Sequence, residues 1–333
     1  MNLSIIIITH NNAGIIGHCL EAIACQLQHN DEIIVLDNGS TDHTLSIIKE
    51  KENDQIYGIS SNINLGISRG RNRATQYSHN SLLFFLDSDI ILANDAVEKI
   101  RDDLMQYDAV IGGYTNHGKG LVWYREIKTR ALSRKKVGDY RCIVNRKKFT
   151  TMSGGFFGIR KEIFFKHKGF DDSFEGGALE DIDLELRLLE SGQTLYYDGL
   201  INGTHQKDEM RWSSFFVWCW KCSRGNSIIF KKRLQNRYKL PITIYYPRIP
   251  FFSFAFLIMI SLSIVFFNGN YLGVAFLIYT IKALPYFLIK DSFAHKIGAS
   301  LLFMLDELLT LIFFVCNFIA IKVRKEDSNG ISD

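Results

Sequence analysis

Two acidic clusters hold the side chains best suited to chemistry in this 333-residue chain. The first is Asp87-Ser88-Asp89, directly after the apolar run Leu82-Leu83-Phe84-Phe85-Leu86. Two carboxylates one residue apart on a turn can share a divalent cation, and hard oxygen ligands suit Mg²⁺ or Mn²⁺. Such a cation would bridge the phosphates of a bound nucleotide. Alone, the pattern is a common acidic turn; its place at the carboxyl end of a buried strand is what makes it a candidate site. The second cluster is Glu180-Asp181, at the start of a helix that follows Glu175-Gly176-Gly177-Ala178. A carboxylate there is stabilised as the anion by roughly 0.3–1 kcal/mol, so by itself this pair reads as a helix-start charge. Asp183 and Glu185 read as the solvated face of the same helix. A lone histidine is usually structural, yet His205 paired with Asp89 would complete a mixed oxygen and nitrogen metal site.

These residues need a scaffold, and the first half of the chain supplies one by alternating strand and helix. Leu3 to Thr9 is a continuous apolar run rich in isoleucine, as expected of a strand covered on both faces. The pattern continues as a helix (Ile15 to Gln26), a strand (Glu32 to Leu36), a helix (Thr44 to Glu50), a strand (Ile56 to Ser60), a helix (Gly66 to Ser78) and a strand (Leu82 to Leu86). Such alternation predicts βαβ units, a parallel sheet, and ligands at the carboxyl ends of its strands. The residues found there are Thr9-His10-Asn11, Asp37-Asn38, Asn62 to Asn64, and Asp87-Ser88-Asp89. All are polar, and they converge on one sheet edge. Downstream, Val122 to Lys148 is rich in Arg and Lys and reads as a mobile surface segment. Ser153 to Ile159 reads as a Gly-rich strand, Gly169-Phe170-Asp171 opens a loop, Leu179 to Glu190 is a helix, and Leu195 to Asp198 is a strand ahead of His205.

At 47% hydrophobic and 22% charged, the chain is too apolar to be disordered. Its net charge of +4 lacks the clustered basic stripe that a nucleic-acid partner requires, but fits an anionic membrane surface. The six cysteines show no disulfide framework, and Met1-Asn2-Leu3-Ser4 lacks a basic signal-peptide start, so a reducing, cytosolic setting is expected for the charged part. Cys219 and Cys222 form a single C-x-x-C with no second pair, and read as helix-packing thiols.

The last hundred residues turn apolar. Ile249 to Phe267 has no charged side chain, Tyr271 to Ile289 has only Lys282 until its end, and Ala299 to Val323 contains Asp306-Glu307. About 20 apolar residues span a bilayer core. The basic cluster from Lys231 to Arg248 places the domain before it on the cytoplasmic side by the positive-inside rule. Lys322, Arg324 and Lys325 should also be inside, which three crossings forbid. The third segment is therefore expected to be interfacial or re-entrant, its acidic pair facing water or protein.

The motifs resemble those of family 2 glycosyltransferases. Ile5 to Asn12, Asp37-Asn38-Gly39-Ser40-Thr41-Asp42, Asn64-Leu65-Gly66 with Arg71-Asn72, and Leu86 to Asp89 stand in that family's order and spacing. So do Ser153-Gly154-Gly155-Phe156-Phe157-Gly158-Ile159-Arg160, Gly169-Phe170-Asp171, Glu180-Asp181-Ile182-Asp183-Leu184 and His205. The resemblance covers about residues 2 to 230. It implies an α/β fold of the GT-A type: a Rossmann-like, mostly parallel sheet flanked by helices. Residues 1–235 would form this catalytic domain, 236–325 a hydrophobic helical membrane region, and 326–333 a polar tail.

The resemblance further implies a nucleotide-diphosphate sugar as donor, linked to UDP, dTDP or GDP. Asp37 would bind the base, by accepting an imide N–H of uracil or thymine or the N1–H and amine of guanine. Thr9 and Asn11 would help to seat it, and His10 stands where many relatives have tyrosine. Asn64, Gly66, Arg71 and Ser88 belong to the same donor site. Asp87 would contact ribose or metal, Asp89 the metal (Mn²⁺ or Mg²⁺), and His205 would be a further ligand. Gly154, Gly155 and Glu180 line the acceptor side, and Asp181 would be the general base of an inverting displacement.

Processive members carry Q-x-x-R-W after the acidic pair. Here Gln206 and Arg211-Trp212 have the wrong spacing, and Trp218 to Gly225 resembles the Arg-Gly helix of non-processive relatives. Transfer of a single sugar to a lipid-linked or surface-polysaccharide precursor at the inner membrane is thus the expectation. Two other classes compete. A nucleotidyltransferase would need a Gly-rich basic phosphate loop, which Thr9-His10-Asn11-Asn12 is not. A catalytically silent nucleotide-sugar-binding subunit would not need the intact Asp87, Asp89, Asp181 and His205.

Overall fold

β-branched side chains pack well on a pleated surface covered on both sides, and the isoleucine run Leu3–Thr9 forms the central strand β1. In this computed structural model the described residues are 1–118, 120–122, 124, 140–144, 152–174, 178–206, 211–235, 274–275 and 293–320. After β1 come α1 (Ile16–Ala24), β2 (Glu32–Asn38), α2 (Thr44–Lys51), β3 (Ile56–Ser61), α3 (Ile67–Thr75), β4 (Leu82–Asp87) and β5 (Ile90–Leu92). They are followed by α4 (Ala96–Gln106), β6 (Ala109–His117), β7 (Arg141–Val144), β8 (Phe156–Arg160) and α5 (Lys161–Lys166). The remaining elements are α6 (Glu180–Glu190), β9 (Leu195–Gln206), α7 (Trp212–Leu234) and α8 (Phe293–Ala320).

The strands form one sheet in the order β3-β2-β1-β4-β8-β6-β9-β5, with β7 also paired to β9. β3, β2, β1 and β4 are parallel; β8 is antiparallel to both β4 and β6, and β9 runs parallel to β6. This is the expected mostly parallel α/β sheet. Two apolar layers cover it. One packs Ile16, Leu20 and Ile23 of α1 and Val97, Ile100 and Leu104 of α4 against Ile5, Ile7, Phe84 and Phe156. The other packs Ala74 of α3 and Leu184 and Leu188 of α6 against Ile6, Leu36, Phe85 and Phe157.

Three expectations need correction. Asp183 and Glu185 are not on a solvated face: both side chains are fully buried. Leu184 and Leu188 put one side of α6 on the sheet. The carboxylates are covered from elsewhere, Asp183 by Lys232 of α7 at 2.6 Å and Glu185 by the Met152 N–H at 2.7 Å. The strand before His205 continues to Gln206, so His205 lies within β9, opposite Ile90. The described parts of Val122 to Lys148 are packed into the fold, although Arg141 and Ile143 stay exposed. Val122 and Tyr124 are buried beside α7 and α8, and Arg141–Val144 pairs along β9, burying Cys142 and Val144. The rest of that stretch lies outside the described residues.

Residues 249–267, all of 271–289 except Val274 and Ala275, and 321–333 also lie outside the described residues. The third apolar segment is α8, and among the described residues it is the one helix long and apolar enough to cross a membrane, by length and composition. It lies along α7, where Ser223 Oγ donates to the Thr310 carbonyl at 3.1 Å and Ser227 Oγ to the Phe314 carbonyl at 3.2 Å. Asp306 faces protein: the Tyr124 hydroxyl donates to it at 3.0 Å and the Cys219 thiol at 3.4 Å. Cys219 and Cys222 are buried on α7, in keeping with a packing role.

Candidate active site

Register places the first site residues side by side. Thr9 ends β1 opposite Asp37 at the end of β2, and Ile8 pairs with Asp87 at the end of β4. Thr9 and Asp37 are buried, and Thr9 Oγ1 and Asp37 Oδ1 make no hydrogen bond. An unpaired buried carboxylate oxygen is costly, and a ligand N–H offers it a partner. Asp37 Oδ1, at the end of β2, is therefore left able to accept an N–H donor.

The loops around these strand ends hold one another. Asn11 takes a left-handed backbone (φ 51°), which asparagine tolerates; its Oδ1 accepts the Thr41 N–H at 2.7 Å, and its own N–H donates to Ser40 Oγ at 2.9 Å. His10 is exposed beside it. Asn38 Nδ2 donates to Asn64 Oδ1 at 3.2 Å and to the Gly66 carbonyl, while its Oδ1 accepts the Leu65 N–H at 2.9 Å. Asn64 and Gly66 thus stand beside the end of β2. Ser88 is buried and accepts Asn12 Nδ2 at 2.8 Å, tying the first loop to the acidic turn.

Asp87, Asp89 and His205 form the metal-capable cluster among the described residues, with ligand atoms all within 4.8 Å of one another. His205 Nε2 lies 2.8 Å from Asp89 Oδ1, but off hydrogen-bond geometry, so both buried ring nitrogens lack a hydrogen-bond partner. Two carboxylates and a buried imidazole with unused nitrogens are a donor set that fits a divalent cation. Tyr114 meets the His205 ring edge-on at 5.0 Å and braces it.

Behind this cluster runs a chain of charges. Arg71 on α3 is buried and donates to Asp87 Oδ1 at 2.8 Å and to Glu180 Oε1 at 2.9 Å. Arg71 therefore links the two acidic clusters, which are 93 residues apart in the chain (Asp87 to Glu180). Burial first, and then the adjacent Asp181 carboxylate, push the Glu180 carboxyl up to about 7 despite Arg71. Asp181 is partly exposed, and its Oδ2 accepts the Gly154 N–H at 3.0 Å. Gly154 and Gly155 leave room for all of this. A Cβ on Gly154 would fall 2.4 Å from Arg71 Nη1, and one on Gly155 only 1.9 Å from Asp87 Cγ.

Sequence patterns missed a second charge cluster. Lys232 of α7 is buried and bridges Asp183 and Asp171, while Arg187 holds the other oxygen of Asp183. Burial opposes ionisation of Asp171, but Lys232 outweighs it and lowers the carboxyl to about 2. A carboxyl lowered on folding adds stability above its ordinary range and loses it as pH falls through the folded value. Thermal melts between pH 6 and 2 should therefore show an acid-side loss of stability that is reduced in Asp171→Asn.

Residues 4–167 match the pattern of the family described as "Glycosyl transferase family 2". The chain carries a family 2 glycosyltransferase domain. An O-antigen chain rhamnosyltransferase of Salmonella typhimurium is 24% identical over 204 residues, which are 59% of this chain and 64% of that protein. A GalNAc(5)-diNAcBac-PP-undecaprenol beta-1,3-glucosyltransferase of Campylobacter jejuni is 26% identical over 180 residues, 52% of this chain and 56% of that one. The chain thus spans less than two thirds of either relative. In fold, the glycosyltransferase domain and the helices after it resemble a mannosyltransferase of Pyrobaculum calidifontis solved with GDP-Man and Mn²⁺. The TM-score is 0.59 at 15% identity, over 96% of this chain and 88% of that one. Asp37, the Asp87–Asp89 turn and Gly154-Gly155 all lie within the family-matched stretch, whereas Glu180, Asp181 and His205 lie beyond it.

Proposed function

We propose that this protein transfers one sugar, with inversion, from a nucleotide-diphosphate sugar to a hydroxyl of a lipid-linked or polysaccharide precursor. The observation that carries the reading is the meeting at one sheet edge of three features. These are the unpaired Asp37 oxygen, the Asp87–Asp89–His205 donor set and Asp181, held at the Gly154 amide. Asp37 and Thr9 hold the base of the donor; His10 and Asn11 flank it. Asp87, Asp89 and His205 would hold Mn²⁺ or Mg²⁺. That cation, when bound, stabilises the negative charge of the departing nucleoside diphosphate.

Asp181 takes the proton of the acceptor hydroxyl as its oxygen bonds to the anomeric carbon. The bond from that carbon to the diphosphate oxygen breaks, and its electron pair leaves with the nucleoside diphosphate. Gly154, Gly155 and Glu180 form the wall on the acceptor side. The absence of a correctly spaced Q-x-x-R-W and the likeness of Trp218 to Gly225 to the Arg-Gly helix of non-processive relatives support single transfer.

A lipid-linked acceptor is favoured by the apolar C-terminal third and by the undecaprenol-linked substrate in the Campylobacter relative's name. The basic residues from Lys231 to Arg248 favour the cytoplasmic face of the inner membrane. The full chain, incubated with Mn²⁺ and a panel of UDP-, GDP- and dTDP-sugars plus lipid-linked acceptors, should release nucleoside diphosphate from one donor class and glycosylate the acceptor. Chelation with EDTA should abolish release, and added Mn²⁺ should restore it. No release from any donor, with nucleotide binding intact, would favour a silent binding subunit.

A further inference from the structure

Three carboxylates crowd the first turn of α6: Glu180, Asp181 and Asp183. The turn has no side-chain cap, and Leu179 ahead of it takes a left-handed backbone (φ 71°), so its position must be fixed from outside. Each carboxylate is held by a different element. Arg71 of α3 holds Glu180, the Gly154 amide holds Asp181, and Lys232 of α7 holds Asp183 at 2.6 Å. Lys232 also reaches Asp171, and Arg187 ties Asp183 to the Gly169 carbonyl through its second nitrogen at 2.7 Å. Lys232 is only 3% exposed, its ammonium lies 4.9 Å from the Phe174 ring centre, and the two carboxylates are balanced by two cations. Two turns earlier on α7, Gly225 lies so close to the segment leading into α6 that a Cβ there would meet the Ala178 carbonyl at 2.4 Å.

We propose that Lys232 is a positioning residue for Asp181: from α7, it neutralises Asp171 and Asp183 and so locks the helix turn that presents the base. The inference rests on the reading of Asp181 as that base. Without Lys232, the buried Asp183 and the half-buried Asp171 lose the cation they share, and the surplus negative charge sits two residues from Asp181. An uncompensated buried charge is relieved by movement or by proton uptake, and either displaces the turn. Small misplacements of a catalytic group cost rate steeply. Among the described residues Lys232 meets Asp171, Asp183 and Phe174, none of them at the ends of β1, β2 or β4, so donor binding is spared. Turnover thereby depends on a helix that follows the family-matched stretch and supports α8.

The test uses the full chain and the sugar nucleotide that the wild type consumes, with binding of UDP, GDP and dTDP in Mn²⁺ read by calorimetry. Lys232→Met and Asp183→Asn should each lower kcat about tenfold or more, with donor KM and nucleoside diphosphate affinity within about threefold. Lys232→Arg, which keeps the charge, should recover part of kcat. Wild-type kcat in folded Lys232→Met overturns the proposal; if that variant does not fold, wild-type kcat in Asp183→Asn does so. Loss of nucleoside diphosphate affinity in step with kcat also overturns it, since that is a general structural effect. Asp181→Asn serves as the control. Activity in Asp181→Asn removes the base reading itself, whereas an inactive Asp181→Asn beside active Lys232 and Asp183 variants removes only the positioning role.

Discussion

Asp181→Asn is expected to lower kcat by about 10²- to 10⁴-fold, the usual contribution of a positioned general base. The side chain keeps its shape, and the amide oxygen can still accept the Gly154 N–H that now reaches Oδ2 at 3.0 Å. What is lost is the basic site for the acceptor's proton, together with the acceptor for the Ile182 N–H that now reaches Oδ1 at 2.8 Å. Asp37, Thr9 and the Asp87–Asp89–His205 cluster are untouched, so binding of nucleoside diphosphate in Mn²⁺ should change less than about threefold. Single-turnover kinetics with calorimetry on the same preparation separates the two quantities. Near-normal kcat would place the base elsewhere.

Arg71→Met is expected to be the most damaging single change to stability. It removes the cation from between Asp87 and Glu180, where Arg71 is 4% exposed and Glu180 5%. Breaking a buried ion pair on one side costs about 3–5 kcal/mol. Glu180 is already pushed up to about 7, so it can take up a proton and hold the cost near the lower end. At about 2–4 °C per kcal/mol for a domain of this size, Tm should fall by about 6–12 °C at pH 8. The sign with pH follows from Glu180. In the variant the penalty is the buried anion, and loss of Arg71 pushes the Glu180 carboxyl up further, so the deficit should shrink as pH falls from 8 to 6 and the carboxyl is neutralised. Melts of wild type and variant at pH 6 and pH 8 measure this, and an equal deficit at both would refute it. Activity should fall with stability, because Asp87 loses the donor that orients it.

The legible parts of this protein were those with local causes. Apolar runs bounded by polar turns gave β1, β2 and β4 within two residues of their observed ends, because strand burial on two faces leaves a continuous apolar signature. Polar residues at those ends converged on one edge because parallel strands all end on the same side. The positions of Asp37, Asp87 and Asp89 followed from that alone. His205 was legible only as a candidate: the sequence ended its strand at Asp198, since Gly199, Asn202 and Gly203 weaken a strand pattern, whereas pairing with β5 and β6 carries β9 through them.

Asp183 and Glu185 were misjudged for a different reason. Charged residues in a helix read as exposed unless a partner is known, and for Asp183 that partner, Lys232, comes 49 residues later in a helix of mixed character. No local pattern encodes it. The amino-acid order by itself determined the strand–helix alternation, the acidic turn, the family and the apolar C-terminal third, because each depends on near neighbours in the chain. Only tertiary structure decided that Arg71 joins the two acidic clusters, that His205 reaches Asp89, that Gly154 and Gly155 make room for the carboxylates beside them, and that Lys232 neutralises α6. Buried charges are tolerated only in pairs, and the pairing partners are chosen by packing in space, across separations of tens of residues or more.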